Sequence, residues 1–385
     1  MFDPETLPEI RNAIEKCTSG QSKLLAELRS EVRKLKPNVK IIYPRSTTSV
    51  SLVASDGGNN KLVFDPFYVQ LVRVVDSYGK QLLLDAVSPS TDTDELSDRQ
   101  FDESGNPGTP LGELMADLGI KKLYHLTSMI PRGETIRQHP EKAKSSWVQV
   151  YRDICEWAVL YNRICHTEFA TDTLIVRDGL LRSKLFKGTL FMQMIEKINT
   201  SIDLIKKRDR RNVYLVGLAK HSKVIDRYGL SIALEGIFSP GEAHFVRVPR
   251  EMEEKAYEWS EWAKGQEASG QDGEQPKFNS GDMFFVKFGP KEGDPIWPVD
   301  ILSSQAHRSQ EIFGFLLADA KDGFPIPFYP RCLQRADEYA QVVDLDLDIL
   351  QDEVMKSVRN IVEPEKSGAL DMFLFMPDLT GRRYQ

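Results

Sequence analysis

Between residues 5 and 35, Leu7, Ile10, Ile14, Leu24, Leu25, Leu28 and Val32 recur at helical spacing. Ser19-Gly20 predicts one break in this helix and Pro37 its end. Val39 to Tyr43 and Val50 to Ala54 read as short strands. The polar, glycine-rich run Ser55-Asp56-Gly57-Gly58-Asn59-Asn60 then reads as a tight turn between two strands. Lys61 to Tyr78 is a second extended block, whereas 87 to 110, rich in Ser, Thr, Asp, Pro and Gly, reads as a surface insertion or mobile loop.

The clearest helix is 146 to 166, where Trp147, Val150, Tyr151, Ile154, Trp157, Ala158, Tyr161 and Ile164 keep the period. Buried strands are expected at Leu174 to Val176 and Val213 to Leu218, with a helix from 189 to 208 between them. That alternation predicts an α/β sheet covered on both faces. Beyond a low-complexity polar loop at 264 to 280, Met283 to Phe288 and Phe313 to Ala318 read as strands. Arg331 to Ala340 and Asp348 to Ile361 read as helices.

The 385 residues are 41% hydrophobic and 28% charged, which excludes wholesale disorder and permits a sizeable core. No long polar linker divides the chain, so one large domain with insertions is expected. A net charge of -7 argues against a surface coated for nonspecific nucleic-acid binding but leaves room for a local basic groove. Cys17, Cys155, Cys165 and Cys332 lack metal-ligand spacing, and no signal-peptide pattern follows Met1, so a reducing, cytoplasmic setting is expected. Apolar runs are too short to span a membrane. Walker A, Rossmann, zinc and nucleophile-elbow patterns are all absent.

What stands out is a carboxylate at the end of an apolar strand, twice. Asp56 follows Leu52-Val53-Ala54, and Asp178 follows Leu174-Ile175-Val176, each with glycine next. A strand is a rigid mount, and on neighbouring strands the two carboxylates would emerge on one sheet edge, suited to a hard divalent cation. Asp-Gly also starts ordinary turns, and that reading stays open. Glu156 lies off the apolar stripe of its helix, with Asp153 competing for any role it has. Lys220, closing the strand Val213 to Leu218, suits a phosphate contact or a plain surface position. Arg177, Arg182, Lys184, Lys187 and the run Lys206-Lys207-Arg208-Asp209-Arg210-Arg211 make a basic middle third, a candidate backbone contact for nucleic acid or a solvated face.

Four ordered segments together resemble the NurA nuclease family. Ala54-Ser55-Asp56-Gly57-Gly58 is similar to its first-strand Asp-Gly-Ser, and Leu174 to Leu181 to its second Asp-Gly strand end. Val216-Gly217-Leu218-Ala219-Lys220 is similar to its Gly-x-x-Lys segment, and Tyr329-Pro330-Arg331-Cys332-Leu333-Gln334-Arg335-Ala336-Asp337 to its Tyr-Pro-x-Pro-Leu-x-x-Ala-His segment. Cys332 replaces the family proline and Asp337 its histidine.

The resemblance implies an RNase H-like fold, a mixed central sheet flanked by helices. The nuclease domain would span 39 to 345, between an N-terminal helical segment (1 to 38) and a C-terminal helical extension (346 to 385). It implies Mn²⁺ or Mg²⁺ held by Asp56, Glu156, Asp178 and Asp337, with Lys220 and Tyr329 in the active site. It further implies a homodimer that cuts DNA, as single-strand endonuclease and 5′-to-3′ exonuclease, on a hexameric HerA-type translocating ATPase. A catalytically weakened scaffold that binds DNA or the ATPase is the alternative, and an unrelated α/β protein whose Asp-Gly pairs are turns is another.

Overall fold

The computed structural model describes residues 6–45, 50–64, 67–140, 144–259, 262–264, 277–341 and 344–368; the side chains of 50–64, 67–68 and 344–348 lie outside that description. The chain begins with α1 (Leu7–Gly20), α2 (Ser22–Arg33) and the short β1 (Lys40–Ile41). The meander β2 (Val50–Phe64), β3 (Phe67–Asp76) and β4 (Gln81–Val87) follows. Helices α3 (Thr93–Asp98), α4 (Pro110–Asp117), α5 (Leu123–Leu126), α6 (Gly133–Gln138) and α7 (Ser146–Cys165) lead to β5 (Asp172–Asp178). Next come α8 (Leu190–Asp209), β6 (Val213–Leu218), α9 (Lys223–Leu234), β7 (His244–Arg247) and α10 (Arg250–Ala256). The last elements are β8 (Gly281–Lys287), β9 (Trp297–Leu302), α11 (Ser309–Ala320), α12 (Arg331–Ala340) and α13 (Asp344–Ile361).

Nine strands form one sheet in the order β1-β7-β8-β9-β6-β5-β2-β3-β4. The pairs β2–β5 and β5–β6 are parallel, and the remaining neighbours are antiparallel. An antiparallel meander joined to two parallel strands that are reached through helices is the RNase H-like architecture expected from the sequence.

Alternation along β5 sends its side chains into two cores. Ile175 packs with Trp147, Tyr151, Trp157 and Tyr161 of α7 and Ile195 and Ile198 of α8. Leu174 and Val176 pack on the opposite face with Val216 and Leu218 of β6, Phe313 and Leu316 of α11, and Leu333 and Ala336 of α12. Both faces of the middle strands are therefore dry, which is why β5 and β6 read as unbroken apolar runs.

Three local expectations are corrected. Ser55 to Asn60 makes no tight turn, because β2 continues to Phe64 and pairs residue by residue with β3, from Ser55↔Asp76 to Phe64↔Phe67. Long-range pairing overrides the turn chemistry of Asp-Gly-Gly there. The run Phe313 to Ala318 lies in the helix α11; a short all-apolar run has no period to separate a buried helix from a strand. The segment 87 to 110 is built into the fold through α3, whose Leu96 is buried and whose first turn is capped by the Asp92 carboxylate accepting from the Asp94 N–H. Of the polar loop 264 to 280, residues 265 to 276 lie outside the described residues.

Candidate functional site

The site is built at the carboxyl ends of β5 and β6. Asp178 is the last residue of β5 and opposes Leu218 of β6. Gly179 follows it at φ +98°, a conformation that favours glycine, and turns the chain across the end of the sheet. There the backbone passes directly over Gly217. A Cβ at that position would sit 2.5 Å from the Gly179 carbonyl oxygen and 2.8 Å from the Leu181 nitrogen. Gly217, which has no dinucleotide fingerprint around it, is thus a close-approach glycine.

The crossing segment is locked from below. The buried Asp300 of β9 accepts from the Leu181 N–H at 3.1 Å and from Arg182 Nε and Nη2 at 2.9 and 2.8 Å. Glu253 meets the same guanidinium at 2.9 Å. Arg182, predicted as part of a basic surface, is instead 5% exposed and serves as an internal fastener. Its partner lies 118 residues away, which sequence proximity could not reveal.

Around Asp178 the fold gathers Lys220, Tyr329 and Asp337. Lys220 follows the end of β6, just before the Ser222 hydroxyl that caps α9 by accepting from the Ile225 N–H. Its Nζ lies 3.9 Å from Asp178 Oδ2 and 3.4 Å from Asp337 Oδ2, and 5.6 Å from the centre of the Tyr329 ring. The Tyr329 hydroxyl donates to Asp178 Oδ1 across 3.5 Å. Burial pushes the Asp178 carboxyl above its ordinary proton affinity. The nearby cations Lys220 and Arg177 pull against that, the Asp337 carboxylate adds to it, and the Tyr329 hydrogen bond opposes it.

Two residues that sequence reasoning left without a role hold Tyr329 in place. Trp297 of β9 packs edge-on to its ring at 4.9 Å and donates its indole N–H to the Phe328 carbonyl at 2.7 Å. The side-chain amide of Gln334, on the first turns of α12, donates to the Tyr329 and Ile326 carbonyls and accepts from the Ile326 N–H. Gln334 lies inside the C-terminal segment that carries the family resemblance, so its position was visible and its task was not.

Asp56 is placed by its backbone alone. The parallel pairing of β2 with β5 ends at Ser55↔Arg177, so Asp56 lies one residue further, at the level of Asp178 on the adjoining strand. Neighbouring strands run about 4.8 Å apart. The side chain of Asp56 lies outside the described residues.

Glu156 is brought elsewhere. It belongs to α7, on the sheet face toward which alternation directs Arg177, while Asp178 follows Val176 toward α12. Arg152 Nε and Arg177 Nη2 lie 3.3 and 3.8 Å from its carboxylate oxygens, and Asp153 also faces Arg152, at 2.8 Å. The Arg177 guanidinium stacks 4.4 Å from the Trp157 ring centre. Among the described residues, no group of three His, Cys, Asp or Glu side chains is arranged to hold a metal ion.

The remaining basic candidates separate as well. Lys184 lies against Trp259 and Trp262, 4.3 and 4.6 Å from their ring centres. The run Lys206 to Arg211 precedes β6, at the opposite end of that strand from Lys220. Six residues at about 3.3 Å each put it roughly 20 Å from the carboxylates. No helix among the described residues is long and apolar enough to cross a membrane.

No family model matches the sequence, and no curated protein matches it. Among solved structures, the chain is similar to the NurA nuclease from Sulfolobus solfataricus, with 13% identity, a TM-score of 0.38, and 92% of this chain and 98% of that one covered. A NurA structure with manganese gives 14% identity, a TM-score of 0.36 and coverage of 91% and 98%. NurA bound to dAMP and manganese gives 12% identity, a TM-score of 0.34 and coverage of 86% and 94%. The chemistry of the site rests on its own residues.

Proposed function

We propose that this chain is a divalent-metal-dependent deoxyribonuclease that hydrolyses phosphodiester bonds at the Asp178 edge of the sheet. The observation that carries the reading is the meeting of Asp178, Lys220, Tyr329 and Asp337, drawn from three segments spread over 160 residues of chain, at one strand end. All four are residues that the sequence singles out as candidates. The register of β2 supports Asp56 as a fifth member.

The donor set suits a hard cation. Asp178 and Asp337 offer carboxylate oxygens and Tyr329 a hydroxyl. Burial, with the neighbouring Asp337 carboxylate adding to it, raises the proton affinity of Asp178 against the pull of Lys220 and Arg177, and a bound cation would favour its charged form. Asp56, Asp178 and Asp337 would hold Mn²⁺ or Mg²⁺, with Glu156 joining only if its ion pairs to Arg152 and Arg177 are given up. The ion would supply an acidified water and neutralise charge on the scissile phosphate.

The chain's own groups do the rest. Lys220, on a flexible stem between two carboxylates, can swing its ammonium onto a phosphate oxygen as a mobile point charge. Tyr329, clamped by Trp297 and Gln334, fixes the orientation of the Asp178 carboxylate. Homodimerisation and delivery of DNA by a HerA-type ATPase belong to this proposal through the sequence resemblance; a partner that keeps DNA near the site would compensate for the net acidity of the chain.

Asp56→Asn and Asp337→Ala test the reading. Each should cut single-stranded DNA cleavage with Mn²⁺ by at least about 100-fold with the fold retained, because a ligand at a strand or helix surface contributes charge and little packing. Undiminished cleavage in Asp56→Asn rejects the site. A second reading, a weakened nuclease that serves as a scaffold, is favoured by the Lys220–Asp337 contact and the arginine-engaged Glu156. Absence of both Mn²⁺ uptake and cleavage in the wild-type chain would select it.

A further inference from the structure

The end of the sheet remote from Asp178 carries a second concave surface. A groove of about 760 Å³ is lined there by Asn38, Lys40, Arg247, Arg250, Ser303 and His307, among others. His307 also lines a hollow of about 160 Å³ that includes Lys206 and Arg308. Lys40 lies on β1, Arg247 closes β7, Ser303 follows β9, and Lys206 stands on α8 just before β6. In the strand order β1-β7-β8-β9-β6 these positions form a row across the strand ends. Four spacings of about 4.8 Å make it roughly 19 Å long.

The arginines of the row are ion-paired. Asp282 meets Arg247 and Arg250, both at 2.7 Å, and accepts from the Ser303 hydroxyl at 3.0 Å; Arg250 also meets Glu253 at 3.1 Å, Arg308 meets Glu311 at 2.7 Å, and Asp203 lines the smaller hollow. Lys40 and Lys206 are exposed and, among the described residues, have no ion-pair partner. We infer that this row is a track for the phosphodiester backbone of a single DNA strand, holding it away from the carboxylate site. Lysines at the two ends, the guanidinium groups of Arg247, Arg250 and Arg308 between them and the side-chain amide of Asn38 match repeated oxyanions on one strand, and phosphate recognition of this kind needs no base-specific geometry. The assignment to DNA rests on the nuclease reading of the Asp178 site.

The test is the double variant Lys40→Gln/Lys206→Gln, with binding of a long homopolymeric single strand followed by fluorescence anisotropy across a salt series. Loss of two phosphate contacts should lower the slope of log K against log salt by about 1.4, at about 0.7 per phosphate on a single strand. Cleavage of an oligonucleotide too short to reach both ends of the sheet should equal that of the wild type. An unchanged slope and affinity, in a protein whose wild type cleaves DNA, overturns the track and leaves the nuclease reading standing. Binding of polyglutamate that is lost in the variant while DNA binding is kept overturns it in favour of an acidic protein partner. A wild type that neither binds nor cleaves DNA removes the nuclease reading, and the track with it.

Discussion

The fastener beneath the site gives the sharpest stability test, Asp300→Ala. Asp300 and Glu253 are fully buried, and the Arg182 side chain between them is 1% exposed. Truncating Asp300 removes the acceptor of the Leu181 N–H and of two guanidinium bonds, and leaves the second Arg182 contact to Glu253 alone. Charge-assisted hydrogen bonds contribute about 1.5 to 3 kcal/mol each, but the three share one carboxylate and do not add. Breaking one partner out of a buried ion pair costs about 3 to 5 kcal/mol, because the remaining charge stays in a dry site. At about 2.1 cal/mol/K of unfolding entropy per residue, that loss lowers Tm by about 4 to 6 °C for this chain length. Urea unfolding of Asp300→Ala, Arg182→Met and the double variant reads it directly. The double should cost about 2 kcal/mol less than the sum of the singles, since it strands neither Arg182 nor Asp300, and Glu253 keeps Arg250 at 3.1 Å. A single-variant loss below about 1 kcal/mol, or strict additivity, would refute the account of Arg182 as an internal fastener.

Asp178→Asn should stabilise the protein while abolishing cleavage. The folded carboxyl holds its proton above the ordinary value of 3.8, so between 3.8 and its raised value the folded state binds more protons than the unfolded. Stability therefore falls as pH rises through that window, and the deficit is present above it. The asparagine removes it: without divalent ions, the variant's Tm should exceed the wild type's at pH 7, the gap closing below pH 3.8. A lower Tm at pH 7, or a gap independent of pH, would count against the buried-carboxylate description. Gly217→Ala should cost about 1 to 3 kcal/mol in urea unfolding, because the added methyl meets backbone that cannot rotate away. A loss under about 0.5 kcal/mol would mean that the 179–181 crossing is not held close to β6.

Part of the candidate site could be read from the chain because two of its residues sit where apolar strands stop. Asp178 and Lys220 were located by the runs Leu174–Val176 and Val213–Leu218, which both faces of the sheet bury. What could not be read depends on partners distant in sequence. The Ser55–Asn60 stretch has turn composition, yet pairing with β3 keeps it extended. Arg182 belongs to a basic cluster in sequence and to Asp300 in space. Glu156 lies off the main apolar stripe of α7, but which sheet face received that helix was decided by the whole topology, and with it the pairing of Glu156 to Arg177. The Phe313–Ala318 run carries no polar residue to mark a period, and its burial on all sides made strand and helix equivalent at the level of pattern.

The β4 strand closes one border of the sheet, and among the described residues no strand lies beyond it. Its outward row of amide and carbonyl groups is a template on which another extended segment can lie, and Leu84, 54% exposed, adds an apolar foothold. Asp85 stands next to that leucine, held by the Tyr151 hydroxyl at 2.7 Å and by Arg99 at 3.5 Å. A second strand paired along this border would have to cover that carboxylate, which disfavours edge-to-edge association there.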